Sequence, residues 1–221
     1  MEKSVSSSNN ESYAGNASCQ LHHRTSLGAR LTTLRECIIL GRALRAAQPI
    51  ATVLDLPCGT GRLWPAFAKA GVSSLIAADF SQGMLDISMS NRLSGIFPKT
   101  HLLTSVFEIG LPADAVEFIA CMHFYPDLST PADRQRVLSE LRRVSRDYVA
   151  ISLRVDGNIA AIRHLRRPPV ISDAGYDGQV IRRSKDVEQE FRQAGYKIVE
   201  YFDVWPGISM WRLYLLRCTD V

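Results

Sequence analysis

Five short apolar-rich runs, ATVLDL at 51–56, LIAAD at 75–79, HLLT at 101–104, EFIACM at 117–122 and YVAISL at 148–153, alternate with stretches of helical periodicity. This alternation admits few folds. Strands joined by helix-length connections pair in parallel, and strands that are apolar nearly throughout belong to a sheet covered on both faces. The helical stretches are 62–70, 82–93 and 131–145. The last has Thr130 as N-cap, Pro131 at the first helical position, and Val137, Leu138, Leu141 and Val144 on one face. Before the first strand, Leu27, Leu31, Leu34, Ile38 and Leu44 recur at helical spacing between a Ser26 N-cap and Pro49, which predicts one long helix. The expected fold is α/β and doubly wound.

The rhythm changes after the fifth strand. A helix over 184–194, begun by Ser184 and ended by Gly195, leads to IVEYFDVW (198–205) and, past Pro206-Gly207, to MWRLYLLRC (210–218). No helix separates these two runs, so only a short return is available and they pair antiparallel. The expected sheet is seven-stranded and mostly parallel, with a terminal antiparallel hairpin.

A length of 221 residues, 46% of them hydrophobic and 22% charged, suits one globular domain. Residues 1–20 are Ser/Asn-rich with too few apolar groups to offset the entropy of ordering, so a flexible tail is expected before a single domain at 21–221. No run approaches the roughly 18 apolar residues of a membrane span, and the amino terminus has no apolar core of a secretory signal. A cytoplasmic location is the expectation. Five scattered cysteines form neither a CxxC pair nor a cluster at zinc spacing, which argues against a disulfide framework and a structural metal. The net charge of +4, carried mostly by arginine, permits an anionic partner without requiring one.

The chemistry concentrates in VLDLPCGTGRL at 53–63, a strand that breaks into a small-residue loop and then a helix. In an open α/β sheet, ligands sit beyond the carboxyl ends of the strands, where the strand order reverses. Gly59 and Gly61 let backbone approach a ligand closely. A dinucleotide fingerprint needs glycine at positions 57, 59 and 62, which here hold Pro57, Gly59 and Arg62. Alone, Asp55 or Asp79 would serve as a helix cap. Together, flanking the glycines at about the 20-residue spacing of a ribose acid, they point to a nucleoside site.

VLDLPCGTGRL followed by IAADFSQGMLDIS resembles motif I and the next acidic strand end of class I S-adenosylmethionine-dependent methyltransferases, and the final hairpin resembles that family's last two strands. The resemblance spans roughly residues 50–218 and implies S-adenosylmethionine as cofactor. It implies that Asp55 lies near the cofactor's amino group and that Pro57, Cys58, Gly59, Thr60 and Gly61 wrap its methionine end. It also implies that Asp79 accepts hydrogen bonds from both ribose hydroxyls and that Phe80 and Met84 pack near the adenine. Ser105 and Val106 match the pair facing the adenine edge, where the family often has Asp, and Cys121 at the end of the fourth strand borders the same site.

The segment CMHFYPDLS (121–129) is where acceptor and methyl group meet in this fold. His123 is the candidate base, since imidazole titrates near neutral pH, and Tyr125 a candidate pocket residue. The segment lacks the (D/N/S)PPY motif of DNA amino methyltransferases, and the chain's Pro-Cys pair belongs to the loop, so Cys58 is a poor nucleophile. No spaced acidic ligands suggest a metal. An insertion at about 154–183, with Arg154, Arg163, Arg166, Arg167, Arg182 and Arg183, is expected to cover the acceptor, and Arg154 and Arg166 suit an anionic one. Arg24 and Arg30 near the first helix are further candidates for the cofactor carboxylate. The expected activity is methyl transfer to a small or medium-sized acceptor by direct displacement. An RNA methyltransferase or a noncatalytic cofactor-binding partner subunit is the alternative.

Overall fold

The structure is a computed structural model that describes residues 27–90, 95–128, 130–165, 171–172, 175–176 and 181–219. In chain order the elements are α1 (Leu27–Ala46), β1 (Thr52–Asp55), α2 (Trp64–Lys69), β2 (Ser74–Asp79), α3 (Gln82–Met89), β3 (Thr100–Leu103), β4 (Val116–Cys121), α4 (Pro131–Val144), β5 (Ser145–Arg154), α5 (Ile159–Leu165), the two-residue strands β6 (Ile171–Ser172) and β7 (Gly175–Tyr176), α6 (Ser184–Gln193), β8 (Tyr196–Asp203) and β9 (Trp211–Cys218). The main sheet has the order β3-β2-β1-β4-β5-β9-β8. Only β9 runs against its neighbours, pairing antiparallel with both β5 and β8. The doubly wound sheet with its terminal hairpin is therefore the architecture read from the sequence. The final strand, however, inserts between β5 and β8 and leaves β8 at the edge.

Alternation along the strands sorts the core into two layers. Val53, Leu75, Ala77, Phe118, Ala120, Leu213 and Leu215 face α1 and α2, packing on Leu40, Leu44, Trp64 and Phe67. Leu54, Ala78, Ile119, Cys121, Val149, Ile151, Tyr214 and Leu216 face the other way, onto Leu138 and Leu141 of α4 and Phe191 of α6. Period-two alternation with both faces buried produces strands that read as continuous apolar runs.

Helix α1 departs from its sequence reading. Leu27, Leu31 and Leu34 are more than half exposed and Ile38 is also classed as exposed, while Ile39, Leu40, Ala43 and Leu44 are buried. The helix carries two overlapping apolar stripes, and the one with small Ala43 and Gly41 beside it approaches the sheet. Thr130 caps α4 as expected, accepting the Asp133 N–H at 3.0 Å. Ser184 opens α6, but its amide is satisfied by Asp156 Oδ1 at 3.0 Å and not by a local cap. Helix α5 lies within the arginine-rich insertion; Asn158 Oδ1 accepts the Ala161 N–H at 2.8 Å, an N-cap signal present in the sequence as Gly157-Asn158 before IAAIRHL. The amino-terminal tail, Ser26, Arg24, Arg166 and Arg167 lie outside the described residues.

The carboxyl end of the insertion is fastened by a half-buried charge network. Glu190 of α6 accepts from Arg182 at 2.5 and 2.9 Å, from Arg134 of α4 at 3.0 Å and from the Tyr125 hydroxyl at 2.9 Å. Burial alone would raise the Glu190 carboxyl, but Arg182, Tyr125 and Arg134 together hold it below its ordinary value. Removing one partner of such a network strands the others. Glu190→Gln is therefore expected to lower the unfolding free energy by roughly 2–3 kcal/mol, measured by urea denaturation at neutral pH; an unchanged midpoint would contradict it.

Candidate functional site

The carboxyl ends of β1, β2 and β4 open into a cleft at the point where the strand order reverses. Its lining includes Asp55, Pro57, Cys58, Gly59, Thr60 and Arg62 from the loop after β1, and Asp79, Phe80 and Ser81 from the end of β2. Met84 of α3 and Met122, His123, Phe124 and Asp127 after β4 complete it. The loop is held by its neighbour strand: the Cys58 N–H donates to Ala78 O at 2.8 Å and the Gly59 N–H to Asp79 Oδ2 at 2.9 Å. Gly59 has φ of 54°, in the region that favours glycine.

Two buried acids flank the loop. Asp55 accepts the indole N–H of Trp64 at 2.9 Å, and burial, aided by the nearby Asp79 charge, pushes its carboxyl up to about 7 against that hydrogen bond. Asp79 accepts from Gly59 on one oxygen and from the Ser81 N–H, at 3.0 Å, on the other. Burial nevertheless raises it above its ordinary value. Each carboxylate oxygen has a second lone-pair direction, so Asp79 retains acceptor capacity. Gly61 serves this arrangement indirectly: at φ of 69°, a Cβ there would meet the Trp64 ring at 2.8 Å. Trp64 packs where only glycine leaves room.

At the β4 side His123 occupies the left-handed region with φ of 63°. Its N–H donates to Ser152 Oγ at 2.7 Å, and its ring lies against Trp211 with centroids 4.3 Å apart. Its buried Nε2 atom stands 2.8 Å from Glu36 Oε1, an ion-pair distance without an aligned hydrogen bond. Glu36, on α1 and 2% exposed, also pairs with Arg62 through Oε2. Burial would raise this carboxyl, but the proximity of His123 and Arg62 outweighs it and lowers it to about 2. The Arg154 guanidinium sits 4.7 Å from the centroid of the same Trp211 ring that His123 packs against. Asp127 is pushed up to about 6 by burial, with Arg154 opposing.

Of the residues singled out in the sequence, Asp55, Pro57, Cys58, Gly59, Thr60, Asp79, Phe80, Met84 and His123 line the cleft. Others do not. Tyr125 is fully buried, bonded to Glu190 and packed on Phe191, which makes it a core residue and not a substrate contact. Cys121 and Val106 are buried in the layer facing α4, and burial drives the Cys121 thiol up to about 12. Ser105 closes a local turn, its Oγ accepting the Phe107 N–H at 3.2 Å. Arg182 is committed to Glu190, which removes it from the set of cations available to an anionic acceptor. Arg30 is exposed on the first turn of α1. Cys58 is buried with its thiol raised well above its ordinary value, as a non-nucleophile should be. The site residues not foreseen include Glu36, Arg62, Trp64, Asp127 and Trp211. Glu36 had a signal, being the one acid within LGARLTTLRECIILGRALRA.

The family model described as "Methyltransferase domain" matches residues 53–147, from β1 into β5. Residues 53–147 thus resemble a methyltransferase domain, and the sheet and helices around them form a Rossmann-like methyltransferase fold. Solved structures share the fold. An S-adenosylmethionine-dependent methyltransferase from Clostridium acetobutylicum is 13% identical, with a TM-score of 0.66, over 96% of this chain and 99% of the other. Magnesium protoporphyrin IX methyltransferase from Synechocystis, with bound SAH, is 11% identical with a TM-score of 0.63 over 89% of each chain. The [4+2]-cyclase SpnF is 13% identical with a TM-score of 0.63, over 84% of this chain and 82% of the other. No curated protein matches the chain. At such identities the likeness is one of fold, and the fold of this methyltransferase domain also supports a cyclase.

Asp55 gives the domain a pH signature. Folding raises its carboxyl from the ordinary 3.8 to about 7, so between those values the folded chain keeps a proton that the unfolded chain has lost. Stability therefore falls as pH rises through that window. In Asp55→Asn this contribution disappears, and the variant is expected to exceed the ligand-free wild type in stability by roughly 2–4 kcal/mol above pH 7. Chemical denaturation across pH reads the difference; parallel curves for the two proteins would contradict it.

Proposed function

We propose that this chain is an S-adenosylmethionine-dependent methyltransferase that acts on a small or medium-sized acceptor by direct displacement. The observation that carries the reading is the cleft itself: a small-residue loop held between two buried acids within a matched methyltransferase domain. The donor set fits the cofactor group by group. Asp79 is the bidentate acceptor for the ribose hydroxyls, Phe80 and Met84 are the apolar surfaces for the adenine, and Asp55 is the counter-charge for the ammonium. Arg62 is a cation in the same cleft, suited to the carboxylate. When bound, the cofactor supplies an electrophilic methyl on a sulfonium.

What the chain contributes is mainly placement, since holding an acceptor atom in line with the methyl group supplies much of the acceleration. His123 at the β4 end takes the proton where the acceptor atom carries one. Arg154 and Trp211 border that end, and Arg154 suits an anionic group on the acceptor. Neither an RNA acceptor nor a noncatalytic role is the favoured reading.

Calorimetric binding of S-adenosylmethionine to wild type and Asp79→Ala tests this reading. Loss of charge-assisted hydrogen bonds worth roughly 1.5–3 kcal/mol predicts binding about 10- to 100-fold weaker in the variant. Undiminished binding would overturn the ribose assignment.

A further inference from the structure

We propose that Glu36 is the positioning residue of His123, so that α1 supplies the carboxylate half of a carboxylate–imidazole dyad and Nδ1 is the nitrogen that takes the acceptor's proton. The inference rests on the reading of His123 as base. It starts from an expense: a carboxylate buried to 2% exposure is tolerated only when paired. Glu36 divides its two oxygens between two partners, Oε2 to Arg62 of the cofactor loop and Oε1 to His123 Nε2 at 2.8 Å. Arg62 thereby fixes the carboxylate and keeps it ionised, leaving Oε1 to face the ring.

The imidazole is restrained from three other sides. Its backbone is held in the left-handed region, its backbone N–H is bonded to Ser152 of β5, and its ring packs at a tilt against Trp211 of β9. Because Nε2 is buried, it cannot be the atom that meets an acceptor, although His123 lines the cleft. With the anionic Glu36 oxygen 2.8 Å from Nε2, the neutral tautomer that carries its hydrogen on Nε2 is the electrostatically favoured one, which leaves the lone pair on Nδ1. During transfer the acceptor's O–H or N–H bond breaks as its bond to the methyl carbon forms, and the methyl–sulfur bond breaks with its electron pair left on sulfur, which departs as S-adenosylhomocysteine. The proton passes to Nδ1, the resulting imidazolium faces the anionic Glu36, and the proton then leaves to solvent. Glu36 lies outside the matched residues 53–147, so this device belongs to the chain's own amino-terminal helix.

Long-range proton–nitrogen NMR spectra of the whole chain, labelled with 15N-histidine and recorded at alkaline pH, read which ring nitrogen carries hydrogen, with His123→Gln assigning the signal. Wild type is expected to show the Nε2–H tautomer. In Glu36→Gln, Arg62 claims the amide oxygen and the NH2 turns toward Nε2, so the ring is expected to move toward Nδ1–H. A wild-type Nδ1–H tautomer, or a tautomer unmoved in a folded Glu36→Gln, overturns the dyad; if that variant does not fold, the wild-type spectrum decides alone. Turnover to S-adenosylhomocysteine in a metabolite extract separates the two readings. His123→Gln is expected to slow it by about 10²–10⁴-fold. Full turnover in that variant would overturn the base itself even if the tautomer is the expected one, whereas the wrong tautomer with an inactive His123→Gln would sink only the dyad.

Discussion

Two hydrogen bonds from the loop after β1 to the end of β2, Cys58 N–H to Ala78 O and Gly59 N–H to Asp79 Oδ2, fix the geometry on which the cleft depends. They turn the loop back over the strand ends and place its small residues between the acids. Asp79 thus serves the protein before it serves any ligand, holding the loop with one oxygen and the start of α3, through Ser81, with the other. Asp55 plays the matching part on β1 by anchoring Trp64, and Gly61 leaves the indole the space to reach it. The cleft is built from buried carboxyls whose burial raises them, a state that a bound cation would relieve.

Much of the fold was legible because strand and helix periods differ and the chain keeps them separate. Runs such as VLDL and EFIACM have apolar residues on both faces, and only a sheet covered on both sides uses them. The loop and its acids were legible for a related reason: glycine spacing and strand-end carboxylates are local features. Tyr125 was misjudged because nothing near it in sequence announces Glu190, which arrives from α6 more than 60 residues later. Glu36 was missed for the same cause, since its partners Arg62 and His123 come from two other elements. On α1 the periodicity was real but ambiguous, and tertiary packing chose the stripe containing Leu40 and Leu44 over the one containing Leu31 and Leu34.

The two charge networks share a design. Glu190 joins α4, α6 and the end of the arginine-rich insertion, while Glu36 joins α1, the loop after β1 and the turn after β4. In each, one glutamate satisfies partners from segments distant in sequence. Such pairs contribute little net stability over apolar packing, yet a missing partner is costly, so they fix which segments meet. They fasten to the matched region the parts that lie outside it or at its margin.

The central claim is that the cleft between β1, β2 and β4 holds S-adenosylmethionine. A crystal structure grown with S-adenosylhomocysteine tests it most directly. The ribose hydroxyls are expected on the Asp79 carboxylate, the adenine beside Phe80 and Met84, and the amino-acid end beside Asp55 and Arg62. A nucleoside bound elsewhere, or a cleft that excludes the product at concentrations that saturate other members of the family, would contradict the account.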